Sequence, residues 1–94
     1  MKIRVWRYQV AAQVREDFER EYGAGGSWAT LFALSPDFVD TTLYVDVTRR
    51  GSYLTVDRFV DDGAWAEFRA EHAAAYLELG TQLADLTVEQ EELV

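Results

Sequence analysis

Residues 40–60 place the tightest limit on what this chain can fold into. DTTLYVDVT (40–48) and SYLTVDRFV (52–60) alternate with a two-residue period, are rich in β-branched and aromatic residues, and flank Arg49-Arg50-Gly51. That is a β-hairpin pattern. An even-length turn pairs Tyr53 with Thr48, Asp57 with Tyr44, and Phe59 with Thr42. The other face then carries Leu43, Val45, Val47, Leu54, Val56 and Val60, interrupted only by Arg58. Neither face suits water, whereas a lone antiparallel sheet needs only one dry side. Helices can cover one face. A second copy of the sheet is the simplest cover for the other, because the bare aliphatic patch exceeds what soluble monomers usually show. A homodimer is therefore expected.

The cover for the first face comes from Asp62–Leu83, which reads as one long amphipathic helix. Trp65, Phe68, His72, Tyr76, Leu79 and Leu83 recur at three- and four-residue steps, so they share one stripe. Asp61 or Asp62 caps its start. Upstream, KIRVWRYQV (2–10) alternates as a strand, with Ile3, Val5 and Arg7 on one side and Arg4, Trp6, Tyr8 and Val10 on the other. A helix follows over 13–22, its stripe formed by Val14, Phe18 and Tyr22, and Gly23 is expected to end it in a left-handed conformation. GAGG (23–26) supplies flexibility, Ser27 caps a short helix over 28–34, and Ser35-Pro36 stops it. The tail after Leu83 has two readings. Leu86 and Val88 with their alternate positions fit an edge strand, which the topology calls for; Thr87 with Gln90 also fits a capping box opening a helical turn.

Ninety-four residues suit one domain, 1–94, with an ample share of apolar residues but only a small core. The net charge of −8 argues against nucleic acid or an anionic membrane as partner. No cysteine is present, which removes thiol chemistry, disulfides and zinc ribbons. No leader pattern opens the chain and no apolar run nears the ~18 residues of a membrane helix, so a cytoplasmic protein is the expectation.

The order strand, helix, strand, strand, helix and closing strand is the split βαβ pattern of ferredoxin-like α+β folds. FEREYGAGGSWATLF (18–32), TTLYVDVTRRGSYLTVDRF (41–59) and the Trp65/Phe68/Tyr76 helix together resemble the antibiotic biosynthesis monooxygenase-like family of dimeric α+β barrels. That resemblance implies an antiparallel sheet with helices on one face, back-to-back pairing of two sheets, and a small-molecule cleft between each sheet and its own helices. In haem-degrading members a first-strand Asn, a third-strand Trp and a second-helix His form the site; the matching positions here fall near Trp6, at Phe59 and at Phe68. The chain has no Asn, so the resemblance argues against haem degradation. A later His found in many members matches His72.

His72 and Asp57 are the candidate proton-transfer residues. A half-buried imidazole beside a carboxylate passes protons near neutrality; equally, His72 can be a core residue bonded to a Tyr hydroxyl or a carbonyl. Asp57, costly to bury alone, is either a base or the partner of Arg4, Arg58 or Tyr44. Trp6, Tyr8, Trp28, Tyr44, Tyr53, Phe59, Trp65, Phe68 and Tyr76 are the candidate ligand-binding aromatics, the alternative for each being ordinary core. Trp28 stands apart because it follows the glycine-rich turn, a candidate lip. GAGGS lacks the lysine of a phosphate loop, no metal-ligand spacing exists, and no cofactor is expected. Three functions remain: a cofactor-free oxygenase for an aromatic or polyketide-like molecule, a non-enzymatic binding or stress-associated dimer, and a haem-handling protein with His72 as ligand.

Overall fold

The computed structural model describes all residues 1–94. Strand β1 (Lys2–Gln9) leads through a single 3₁₀ turn into helix α1 (Arg15–Tyr22), followed by α2 (Ser27–Phe32). Strands β2 (Phe38–Val45) and β3 (Ser52–Phe59) form the hairpin. Helices α3 (Asp62–Glu71) and α4 (Ala73–Gln82), another 3₁₀ turn and a short strand β4 (Glu89–Glu92) complete the chain. The sheet order is β2-β3-β1-β4, antiparallel throughout, which is the ferredoxin-like split βαβ arrangement. The tail is thus an edge strand: its four residues are all exposed, as an edge position tolerates.

The hairpin register differs from the sequence expectation by three residues. Val45 lies opposite Tyr53, Leu43 opposite Thr55, and Thr41 opposite Asp57. The reason is the turn. The Asp46 carboxylate accepts from the Thr48 amide (2.9 Å) and hydroxyl (2.7 Å), which pulls Asp46–Thr48 out of the strand. Gly51, at φ 83°, then supplies the left-handed residue that re-enters β3. An odd shift reverses every side chain of a strand. Thr41 and Leu43 consequently face the helices, while Thr42 and Tyr44 face away. Val47 leaves the sheet and is 94% exposed, and Val45 ends up on the Tyr53 side rather than the outer one.

Three smaller expectations also change. Gly23 is extended (φ −78°, ψ −178°), not left-handed, so it ends α1 without a positive φ. Gly26, not Ser27, occupies the cap of α2, and the Ser27 hydroxyl instead donates to the Glu21 carboxylate. The long helix breaks at His72 (φ −119°, ψ 28°), although His72 N–H still donates to Phe68 C=O and Tyr76 N–H to His72 C=O, both at 2.9 Å. Asp61 does cap α3, its side chain accepting from the Ala64 amide at 2.7 Å.

The covered face of the sheet holds two aromatic clusters. One gathers Tyr8, Val10, Phe18, Tyr22 and Tyr53 under α1; the other gathers Phe32, Phe59, Ala64 and Phe68 under α2 and α3. Stacked and edge-to-face pairs such as Phe18–Tyr22 (4.2 Å between centroids) and Phe59–Trp65 (5.2 Å) run through both. Trp28 packs on each cluster and joins them. On the opposite face Ile3, Val5, Leu54 and Val56 lie half-buried or exposed, with Tyr44 53% exposed beside them. Ion pairs Arg58–Asp40 and Arg7–Glu91 bracket that face.

Phe59 has no exposed surface, and truncating a buried Phe to Ala removes its transfer free energy and leaves a void. Phe59→Ala is expected to lower unfolding stability by about 3–5 kcal/mol in urea denaturation.

Candidate functional site

A cavity of about 660 Å³ lies between the sheet and the helices. Strand alternation supplies its floor: Arg4, Trp6 and Tyr8 from β1 and Thr55 and Asp57 from β3, with Thr41 from β2. Tyr22, Trp28 and Phe32 wall it from α1 and α2, Tyr76, Leu77, Gly80 and Thr81 roof it from α4, and Thr87, Val88 and Gln90 form a lip. The bend at His72 directs α4 over this opening while α3 stays on the Phe59 cluster.

At one end sits a buried charge cluster. Arg4 Nη1 donates to Asp57 Oδ2 at 3.0 Å, and the Thr41 hydroxyl donates to Asp57 Oδ1 at 2.8 Å. Arg4 Nη2 reaches the Tyr76 hydroxyl at 3.2 Å, and its guanidinium carbon lies 4.0 Å from the centre of the Trp65 ring. Arg4 and Asp57 are each only 4% exposed. Burial raises the Asp57 carboxyl above its ordinary value; the Thr41 hydroxyl and the Arg4 charge oppose that rise without cancelling it. Each carboxylate oxygen keeps a second lone pair, so the group can still accept a proton from the cavity.

Beside this cluster the remaining polar groups are neutral. Tyr8 and Tyr22 are 8% and 5% exposed, with ring centroids 5.0 Å apart. Burial, reinforced by the neighbouring Tyr22, drives the Tyr8 hydroxyl far above its usual range, and burial raises Tyr22 as well. Both stay protonated phenols.

The structure brings Asp57, Trp6, Tyr8, Trp28 and Tyr76 to the cavity and leaves the other sequence candidates outside it. His72 is the main displacement. His72 still packs on Phe68 (ring centroids 5.1 Å), as the stripe predicts, but the break after it turns α4 and not the imidazole over the cavity, so His72 joins a small hollow with Ser35–Asp37, Glu67 and Glu71. Its Nε2 lies 3.9 Å from Glu71, and the imidazole bonds no core hydroxyl or carbonyl. Tyr44 was moved to the outer face by the register. Tyr53 is core: its hydroxyl donates to Glu19 Oε2 at 2.5 Å, and burial followed by that carboxylate pushes it up to about 12. Phe59 and Phe68 are sealed in the second cluster, and Trp65 backs Arg4 without lining the cavity. Sequence reading reserved Arg4 as a partner for Asp57 but not as a wall of the site, and it read Tyr22 only as helix stripe. The available signal for Arg4 was a charge on the same alternating face as Trp6 and Tyr8.

No protein-family model matches the chain, and no curated protein matches it. Solved structures do. SnoaB, a cofactor-independent oxygenase from Streptomyces nogalater, is 25% identical; the match covers 98% of this chain and 89% of that one with a TM-score of 0.65. A protein assigned as an antibiotic biosynthesis monooxygenase from Nitrosomonas europaea is 12% identical, with 99% and 94% covered and a TM-score of 0.68. Another so assigned, from Deinococcus radiodurans, is 11% identical, with 99% and 88% covered and a TM-score of 0.66. No helix is long and apolar enough to cross a membrane.

The raised Asp57 has a consequence for stability. Its folded state favours the protonated form, so its contribution is complete below the unfolded value of 3.8 and is lost as pH rises through the folded value. The stability of the wild type minus that of Asp57→Asn is therefore expected to fall as pH is raised from 3.8 in parallel urea titrations. A difference that is flat or grows with pH contradicts the assignment.

Proposed function

We propose, from the premise that this chain is an antibiotic biosynthesis monooxygenase-like protein, that it oxidises an aromatic or polyketide-like molecule in the cavity without a bound cofactor. The observation that carries the reading is the pairing of an aromatic-walled slot with a buried carboxylate whose pKa is raised. The volume suits a multi-ring ligand, and Trp6, Trp28 and Tyr76 offer ring faces for it. Asp57 is the base. It draws a proton from an electron-rich substrate, and the resulting anion gives electrons to dissolved dioxygen. A ring methylene then becomes a carbonyl while the second oxygen atom leaves as water, so the substrate supplies all the electrons. Arg4, held by Asp57 and Tyr76, lies where negative charge develops and stabilises it electrostatically. His72 takes no part, since it does not line the cavity.

The working unit in this reading is a homodimer. Ile3, Val5, Leu54, Val56 and Tyr44 form an apolar sheet face that no helix of the chain covers, and a second copy of that face is its complement. The face is the corrected one: Val45 and Val47 do not belong to it.

Two outcomes follow. Oxygen uptake with a panel of hydroquinones and anthrones is expected above background in wild type and at least 10²-fold lower in Asp57→Asn, the usual scale for losing a general base; equal rates in both proteins refute the role. Sedimentation at micromolar concentration is expected to give a dimer mass, and Val56→Glu, which places a charge in the contact, is expected to give monomer or unfolded chain. A wild-type monomer refutes the pairing.

A further inference from the structure

Strand β2 carries one extra residue near its start. Phe38 lies opposite Phe59, yet Asp40, two residues on, lies opposite Arg58, one residue back, so Val39 has no partner in β3. Such a bulge re-aims every side chain beyond it. Unbroken pairing from Phe38 and Phe59 would set Asp40 opposite Asp57 on the covered face, where two carboxylates repel. The bulge instead sends Asp40 to the other face, where Arg58 Nε donates to its Oδ1 at 2.7 Å, and brings Thr41 opposite Asp57. Arg4 is the partner of Asp57 on its other side, in β1. Thr41, Asp57 and Arg4 therefore form one buried row across three strands. Each neighbour takes a different oxygen of the carboxylate: the Thr41 hydroxyl donates to Oδ1 at 2.8 Å, and Arg4 Nη1 to Oδ2 at 3.0 Å.

We propose that Thr41 is a positioning residue for proton transfer: its hydroxyl, brought to Asp57 by the bulge, fixes the carboxylate and sets its strength as a base. The proposal rests on the reading of Asp57 as the base and adds what keeps that base usable. Burial favours the protonated carboxyl, which accepts nothing from a substrate. The Thr41 hydroxyl opposes that rise more than the Arg4 charge does. A hydroxyl suits the task because it favours the ionised form by a hydrogen bond yet adds no second cation to tie the carboxylate up. The other ionisable groups around the cluster are Tyr8 on β1, Tyr76 on α4, whose hydroxyl accepts from Arg4, and Glu92 on β4, 4.0 Å from Arg4. Trp65 covers Arg4 from α3. Removing the Thr41 hydroxyl acts on Asp57 and leaves all of these in place.

The test compares wild type with Thr41→Val, which keeps the shape and removes the hydroxyl, and with Thr41→Ser, which keeps the hydroxyl. The Asp57 carboxyl is titrated by carbon NMR in the full chain labelled at aspartate, without substrate. The acid limb of anthrone-dependent oxygen uptake is followed in parallel. In Thr41→Val the Asp57 midpoint is expected about one pH unit higher, the worth of a hydrogen bond to an ionised group, and the rate limb is expected to move up with it. Thr41→Ser is expected to match wild type in both. An unmoved midpoint in Thr41→Val overturns the proposal and leaves Asp57 free to be the base. A midpoint that moves while the rate limb stays overturns the base assignment, and the positioning role with it. Absent uptake in all three proteins overturns the proposed function and this role together. Wild type alone carries a readout for which no variant has to fold: the Thr41 hydroxyl proton is expected to exchange slowly and to move downfield as Asp57 ionises. A hydroxyl proton indifferent to that titration overturns the contact itself.

Discussion

Two opposite charges, Arg4 and Asp57, are buried side by side on the covered face of the sheet, and much of the architecture is arranged to make that tolerable. Removing either ion from water costs several kcal/mol unless its partner and further hydrogen bonds restore what solvent supplied. The restoration is distributed. Thr41 comes from the edge strand, Asp57 and Arg4 from the two central strands, Tyr76 from α4, and the Trp65 ring from α3. The pair thus fastens three strands to two helices.

The aromatic clusters carry the complementary task. Large rigid rings pack edge-to-face under α1, α2 and α3 and bury much apolar area for a short chain. They also separate the two ends of the sheet. One cluster closes around Phe59, while the other ends in the open row of Tyr8, Tyr22 and Trp28. The site is therefore an aromatic-walled slot that holds both a buried ion pair and neutral phenols.

His72 and Arg4 show how a residue's type misleads when its position is unknown. The lone imidazole in an apolar stripe drew attention as a proton carrier, yet it stays with α3 beside Phe68 and lines a different hollow, because the non-helical φ/ψ pair there turns only the following helix over the cavity. Arg4 drew little, as an arginine in a strand is ordinary. Its burial makes it one of the most constrained groups in the molecule. Tyr44 and Leu43 exchanged faces for an equally local reason: one Asx turn at Asp46 shortened β2 and reversed its alternation.

What the sequence determined by itself is what depends on local periodicity: the order of strands and helices, the alternation of β1 that places Arg4, Trp6 and Tyr8 together, the amphipathic helices, and hence the ferredoxin-like topology. These follow from 2.0- and 3.6-residue repeats and short-range caps. The hairpin register, the break at His72 and the pairing of Arg4 with Asp57 across 53 positions were decided only in three dimensions. Each turns on a small difference between nearly equal local states, a six-residue turn against a shorter one or a bent helix against a straight one. Packing of distant side chains settles such choices, and no window of neighbouring residues contains that information.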